Sequence, residues 1–323
     1  MGSGYVVGST IDYAVIIGYF IAILGFGSFF GRHSNTTKDF FFGGQRFSWW
    51  LVGFSLVATT VGSYSFVKYS AVAYSYGVSS TMSYLNDWFW MPLVMFGWIP
   101  IVYYSRVTSV PEYFERRFDA RTRFMTTLVL LTYLIGYVGI NFYTLGVALH
   151  ALLGWDIMMA SAIVAVISAI YVTAGGQTAV IMTDVVQGVI LLIAGLLLFY
   201  LGFRYLGGPG DFWTDLPFRH RLPLAYFNDP PNFNFIGILG QDGLAQSMSV
   251  YFMNQGMIMR FLSAKSVGDS RKALILVLLL LQVLAAVAVA GAGWVGKSMV
   301  LQGLLPADAN AKTMFVLVAN MLC

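Results

Sequence analysis

Eight apolar stretches punctuate this chain at the spacing of membrane-crossing segments, and they constrain its fold more than any other feature. They are Ile11–Gly31, Trp49–Gly77, Met82–Tyr104, Phe124–Leu153, Ile157–Val172, Val180–Tyr205, Phe235–Leu262 and Ala273–Met299, the fifth being short. A helix needs about 20 residues to cross hydrocarbon. Hydrocarbon offers the backbone no hydrogen bonds, so segments of this kind must close their polar groups internally, as helices do. Of the 323 residues, 58% are hydrophobic and 10% charged, against about 25% charged in soluble domains. The expected class is an all-α polytopic protein of the cell membrane, with the lipid bilayer as its first partner. No basic region precedes Ile11, so the first stretch reads as a span and not as a cleaved signal peptide.

Lysine and arginine orient the spans, because they concentrate in cytoplasmic loops. With the N-terminus outside, the inner side holds twelve: Arg32, Lys38, Arg46, Arg106, Arg116, Arg117, Arg121, Arg123, Arg260, Lys265, Arg271 and Lys272. The outer side holds five, Arg204, Arg219, Arg221, Lys297 and Lys312, and Lys68 falls within a span. The net charge of +4 therefore belongs to short interhelical loops and gives no sign of nucleic-acid binding. A single cysteine, Cys323, excludes a disulfide framework and a thiolate metal site. His33, His150 and His220 are scattered, and no HExxH, GxSxG or phosphate-binding loop occurs. Nothing points to an enzyme or to a resident cofactor.

The stretch Phe47–Gly77 is long enough to span yet is a poor continuous helix. Two apolar runs flank Thr59, Thr60, Gly62, Ser63 and Ser65. Such a centre allows either close helix packing or an unwound segment whose freed carbonyls coordinate a cation. Charges at bilayer depth cost about 2.5–3.5 kcal/mol each on insertion scales, so each needs a partner or a wet cavity. Lys68, Asp87 and Asp184 are the candidates. Lys68 can pair with Asp87 or snorkel outward. Asp87 is either an interfacial carboxylate beneath Tyr84, Trp88 and Trp90 or a solute-facing acid. Asp184 is either a helix-start carboxylate or part of a cation site with Thr183 and Gln187. Gln246, Ser247, Ser249, Tyr251, Asn254 and Gln255 add a polar stripe to the seventh span, with Tyr251 and Gln255 on one helical face. Interhelical hydrogen bonds and solute binding both account for it.

Two loops stand out. Ser105–Arg123 is amphipathic, with Ser109 as a helix cap and Pro111 in the first turn. Gly207–Asn234 holds five prolines and reads as an outer surface cover. After Leu305-Pro306 the chain ends in Met314–Cys323, too short to span, which suggests a fragment cut before another helix.

Three segments in order resemble the sodium:solute symporter family: FFFGGQRFSWWLVGFSLVATTVGSYSF (Phe40–Phe66), TSVPEYFERRF (Thr108–Phe118) and YVTAGGQTAVIMTDVVQG (Tyr171–Gly188). NQGMIMRFLSAKS (Asn254–Ser266) is similar to a fourth family run. The resemblance implies a LeuT-like fold of two inverted five-helix repeats behind one extra N-terminal span. It divides the chain into an N-terminal span and loop (1–43), a first repeat (44–206), an outer loop (207–234) and an incomplete second repeat (235–323). It implies sodium-coupled symport of a small polar organic solute into the cell by alternating access, with sodium as the coupling ion. The carbonyls of Ala58 and Val61, with Asp184 nearby, would hold sodium. Solute contacts would fall on Ser65, Tyr84, Asp87 and Asn254, with Gln255 and Lys68 as further candidates from the polar stripe and the broken span. Ser65 and Tyr84 stand where sugar-transporting relatives carry longer amide and acidic side chains, so the solute stays open. A transporter-like sensory module of a signalling protein, such as a histidine kinase, is the alternative.

Overall fold

The computed structural model describes residues 9–31, 36–231 and 233–323; Arg32 and His33 lie outside the described residues. In chain order the helices are α1 (Thr10–Gly31), α2 (Thr37–Phe42), α3 (Trp49–Thr60), α4 (Ser63–Tyr76), α5 (Met82–Leu85), α6 (Ile99–Tyr104), α7 (Val110–Arg117) and α8 (Ala120–Leu153). They continue with α9 (Ile157–Tyr205), α10 (Pro209–Asp215), α11 (Phe218–Arg221), α12 (Phe235–Ile238), α13 (Gln255–Ser263), α14 (Val267–Leu276), α15 (Gln282–Leu301) and α16 (Met314–Leu322). Among the described residues, four stretches are long and apolar enough to cross a membrane as single helices: Thr10–Gly31, Ala120–His150, Gly175–Tyr205 and Val267–Leu301. The pair that starts with α3 and α4 makes a fifth if taken as one broken span. The protein is a multi-pass membrane protein. Its long helices bear this out on their outsides, where Ile11, Val15 and Ile21 of α1 and Phe124, Leu128, Leu131 and Ile135 of α8 are exposed, as suits a lipid-facing surface.

Several expected spans are interrupted, each for a local reason. The third is not one helix: Asn86–Trp90 winds as a 3₁₀ turn and Leu93–Trp98 as a π turn before α6. Pro92 and Pro100 lack the N–H that would continue an α ladder, and the chain adjusts its winding around them. The fifth and sixth spans run together as α9, broken at Gly176 (φ 57°, ψ −160°). A side chain there would strain a left-handed backbone and press its Cβ to 2.7 Å from the Phe40 carbonyl oxygen. The seventh span is wound as π turns over Leu239–Ser247 and Ser249–Met253, then breaks at Asn254 (φ −73°, ψ 110°) before α13. Tyr251 and Gln255 therefore lie on opposite sides of a break, and the one-face relation expected of an α-helix does not hold.

The chain divides into two compact units. The first comprises Met1–Thr60, Trp90–Gly188 and Met248–Val277. Its core gathers Trp98, Val102, Val107, Val110, Leu130, Ile258 and Leu262. In the loop before it, Ser109 caps α7 through the N–H of Glu112, with Pro111 in the first turn as expected. The second unit comprises Val61–Phe89, Val189–Ser247 and Leu278–Cys323. There α15 lies against α4 so closely that a Cβ on Gly293 would sit 2.1 Å from the Ser70 carbonyl oxygen. The Ser70 hydroxyl reciprocates by donating to the Val289 carbonyl at 2.8 Å. Small residues at a helix crossing let backbones approach and bond in this way.

Two tests follow from the second unit. Gly293→Val should destabilise the protein by about 1–3 kcal/mol, because the α4 backbone cannot yield; thermal unfolding in detergent reads it, and an unchanged midpoint would disprove the close crossing. His220 of α11 packs on Gly77, with Nε2 3.3 Å from the Tyr74 carbonyl oxygen. Burial lowers its imidazole below the ordinary value of 6.5. The unfolded chain therefore takes the proton first, so this contact contributes fully above about pH 6.5 and is lost as pH falls from there through the lowered value. The unfolding midpoint should drop over that interval, and His220→Gln should flatten the drop.

Candidate functional site

The polar residues singled out in the sequence gather into separate clusters, each within one unit, and a helix break lies where α3 passes into α4. The break is at Val61 and Gly62, where α3 ends and α4 begins. In a continuing helix the Ala58 carbonyl would accept from the N–H of Gly62, and the Val61 carbonyl from that of Ser65. Here the Gly62 N–H turns to the Ser65 hydroxyl (3.3 Å), and the Ser65 N–H turns to the Gly62 carbonyl (3.0 Å). Both carbonyls lose their helical donors. The Thr59 and Thr60 hydroxyls fold back onto the Ser55 and Val57 carbonyls (2.7 and 3.0 Å), satisfying acceptors earlier in the same turn. Ser65, a candidate for solute contact, thus serves first as the cap of α4.

In the first unit, Asp184 of α9 meets Arg260 of α13 and Ser55 of α3. Arg260 donates to Asp184 Oδ2 (2.6 Å), to the Ser55 hydroxyl (2.8 Å) and to the Gly256 carbonyl (2.9 Å). The Ser55 hydroxyl also donates to Asp184 Oδ2 (2.6 Å). Arg260 is 7% exposed and Ser55 fully buried. A guanidinium whose three nitrogens each find an oxygen is satisfied even away from water. Asp184 is therefore neither a helix-start carboxylate nor isolated: it anchors a three-helix junction one turn from Gly188, whose Cα side lies against Ala58. Asn254 caps α13 by accepting from the N–H groups of Gly256 and Met257 (2.8 and 3.3 Å). Gln255 reaches the α7 loop, accepting from the Val110 N–H (3.1 Å) and donating to the Thr108 carbonyl (2.9 Å).

In the second unit, Lys68 approaches Asp242 at 4.0 Å, and its ammonium lies over the rings of Tyr64 and Tyr69. The pairing of Lys68 with Asp87 that adjacent helices allow is not the one formed. Asp87 instead accepts from the Ser247 hydroxyl and from the Gln282 amide (2.6 Å), which also donates to the Tyr84 carbonyl (2.7 Å). Tyr84 is buried, its ring 4.5 Å from that of Tyr69.

Asp242, Gln282, Ser55 and Arg260 escape a reading of the sequence. Asp242 sits among glycines and a glutamine near the start of an apolar run, where it passes for loop chemistry. Arg260 sits near the inner end of its span and counts there as an orienting charge. An acid within an expected span was the available signal for Asp242.

The chain matches the sodium:solute symporter family over residues 40–311. It is 30% identical over 267 residues to the sodium/sialic acid symporter SiaT of Proteus mirabilis (strain HI4320), covering 82% of this chain and 54% of that protein. It is 28% identical over 289 residues to the sodium/glucose cotransporter of Vibrio parahaemolyticus, covering 83% and 52%. It is 27% identical over 282 residues to the sodium-coupled monocarboxylate transporter 2 of Mus musculus, covering 86% and 46%. The solved substrate-bound outward-open state of a Na+-coupled sialic acid symporter matches it with a TM-score of 0.87 at 27% identity, covering 97% of this chain and 66% of that one. The chain thus spans about half the length of the curated relatives it matches.

The junction predicts a specific stability pattern. Arg260→Leu strands the Asp184 carboxylate in a dry site and should cost about 3–5 kcal/mol. Adding Asp184→Asn should recover much of that loss, a coupling that a double-mutant cycle of thermal unfolding measures. Additive losses would show that the pair is not coupled.

Proposed function

The chain belongs to the sodium:solute symporter family, and on that premise we propose that it works as a sodium-coupled symporter, carrying a small polar organic solute into the cell by alternating access. The observation that carries this reading is that the Gly62 and Ser65 N–H groups, the regular helical donors to the Ala58 and Val61 carbonyls, turn to other acceptors at the break after α3. Sodium is a hard cation that takes oxygen ligands, and backbone carbonyls freed within a span supply them without adding a charge. Asp184 acts as the third member of the ion site: both of its protein contacts fall on Oδ2, which leaves Oδ1 for the ion. Arg260 and Ser55 fix that carboxylate beside the last turn of α3.

For the solute we assign Ser65, Lys68, Tyr84 and Asp87, all of the second unit; Asn254 and Gln255 of the first unit are further candidates, considered by themselves. Asn254 and Gln255 act mainly by holding α13 and the α7 loop in place. The N-terminus lies outside, as the lysine and arginine distribution of the loops supports. A membrane potential of 100 mV supplies about 2.3 kcal/mol per sodium ion, worth roughly a 50-fold solute gradient per charge. The named substrates of the relatives, sialic acid, glucose and monocarboxylates, share only a polar, oxygen-rich character, and this chain's solute falls in that broad class.

Replacing sodium by choline should abolish concentrative solute uptake by the protein in proteoliposomes. Undiminished uptake would refute sodium coupling. Asp184→Asn should raise the sodium concentration needed for half-maximal uptake by about tenfold, equal to about 1.4 kcal/mol, with a smaller effect on the maximal rate. An unchanged sodium response would remove Asp184 from the ion site.

A further inference from the structure

The second unit holds a closed circuit of polar contacts with hydrogen-bonding capacity left over. Lys68 approaches Asp242. The Asp242 carbonyl is 2.8 Å from the Ser247 hydroxyl, which reaches Asp87. Asp87 accepts from Gln282, Gln282 donates to the Tyr84 carbonyl, and the Tyr84 ring lies against that of Tyr69. The Tyr69 ring in turn lies under the Lys68 ammonium, 5.1 Å away. Asn86 joins the circuit beside Asp87, and its amide faces Gly243, the neighbour of Asp242.

The surplus lies on two amides. Gln282 is 7% exposed, and its two donated bonds fix the amide so that Oε1 is left buried without a partner. Asn86 is further from satisfaction: its Oδ1 and Nδ2 are both buried, and neither has a hydrogen bond. Buried amides are costly to leave unpaired, and each such group calls for an explanation. Lys68 adds unfilled donors. Its contact with Asp242 is at the outer limit of an ion pair, and the side chain keeps 28% of its exposure. Two carbonyl-type acceptors beside a carboxylate suit a group with several N–H donors. An ammonium over aromatic faces, only loosely held by its acid, suits a carboxylate.

We propose that Asn86 and Gln282, with Lys68 and Asp242, form a recognition pocket within the second unit for a zwitterionic solute that carries a primary ammonium and a carboxylate. This inference rests on the symport reading and narrows its solute. The solute's ammonium donates to Asn86 Oδ1 and Gln282 Oε1 on the Asp87 side. Its carboxylate accepts from Lys68, which then shares its charge between solute and Asp242. A neutral polyol would gain nothing from burying Lys68 and two aspartates, which is expensive within a membrane. A simple monocarboxylate would leave both amide acceptors unfilled.

The test uses the purified full chain in sodium chloride, with thermal stabilisation and equilibrium binding as readouts. The probes are the standard L-α-amino acids taken singly, D-glucose and L-lactate. At least one amino acid should stabilise the protein, and its N-acetyl and C-amide derivatives should each bind at least about 100-fold more weakly, as expected of a site built around those hydrogen bonds. Asn86→Leu should raise the midpoint of the ligand-free protein, since its amide makes no internal bond, and should abolish the amino-acid shift. Lys68→Met should erase the difference between the amino acid and its C-amide. Stabilisation by glucose or lactate but by no amino acid, no stabilisation by any probe, or unaltered amino-acid binding by Asn86→Leu would overturn the proposal. Uptake separates the two readings: sodium-dependent uptake of glucose or lactate would leave symport standing without this pocket. Amino-acid uptake undiminished in choline would refute sodium coupling and leave the pocket.

Discussion

Backbone hydrogen bonding in a medium without water is the constraint on which this structure depends. Every interruption of a span has to be closed from within the protein. At Asn254 the side chain closes the start of α13, taking the N–H groups of Gly256 and Met257. At Gly176 a left-handed glycine turns α9 where Phe40 leaves no room for a Cβ. At Val61 and Gly62 the N–H groups of Gly62 and Ser65 are redirected to the Ser65 hydroxyl and the Gly62 carbonyl, so the carbonyls of Ala58 and Val61 lose their regular helical donors. A carbonyl that has lost its helical donor in an apolar setting is a place for a cation, which is why a break in one helix carries the functional reading.

The buried charges obey the same rule in electrostatic form. Arg260 is tolerable because each of its nitrogens meets an oxygen, and two of those oxygens belong to other helices. That geometry turns a desolvation cost into a joint between α3, α9 and α13. In the second unit the arrangement is looser. Lys68 is held by two tyrosine faces and a distant carboxylate, and Gln282 and Asn86 keep unfilled polar atoms. A tightly satisfied cluster positions helices, whereas a partly satisfied one has capacity for a ligand.

The match to the sodium:solute symporter family covers most of this chain and about half of each relative's length. The overlap includes the broken helix, the α7 loop and the Asp184 segment, the three regions that also bear the sequence resemblance. The residues proposed for the ion site, Ala58, Val61 and Asp184, lie inside that overlap. The polar circuit of the second unit also lies there, yet it includes Asp242 and Gln282, which no recognisable motif marks.

Apolar run length and the scarcity of charge were enough to determine an all-α, multi-pass membrane protein, because crossing hydrocarbon leaves few other solutions. The weak centre of Trp49–Gly77, the cap at Ser109 and the candidate status of Lys68, Asp87 and Asp184 were legible for the same reason: residues ill suited to a plain apolar helix stand out in one. Tertiary structure alone decided the partners. Lys68 met Asp242 and not Asp87, Asp184 met Arg260, and Gln282 joined Asp87, since each pairing depends on which faces distant segments present to one another. The π winding before Asn254 was equally hidden, because one extra residue per turn leaves almost no trace in composition while rotating every side chain that follows.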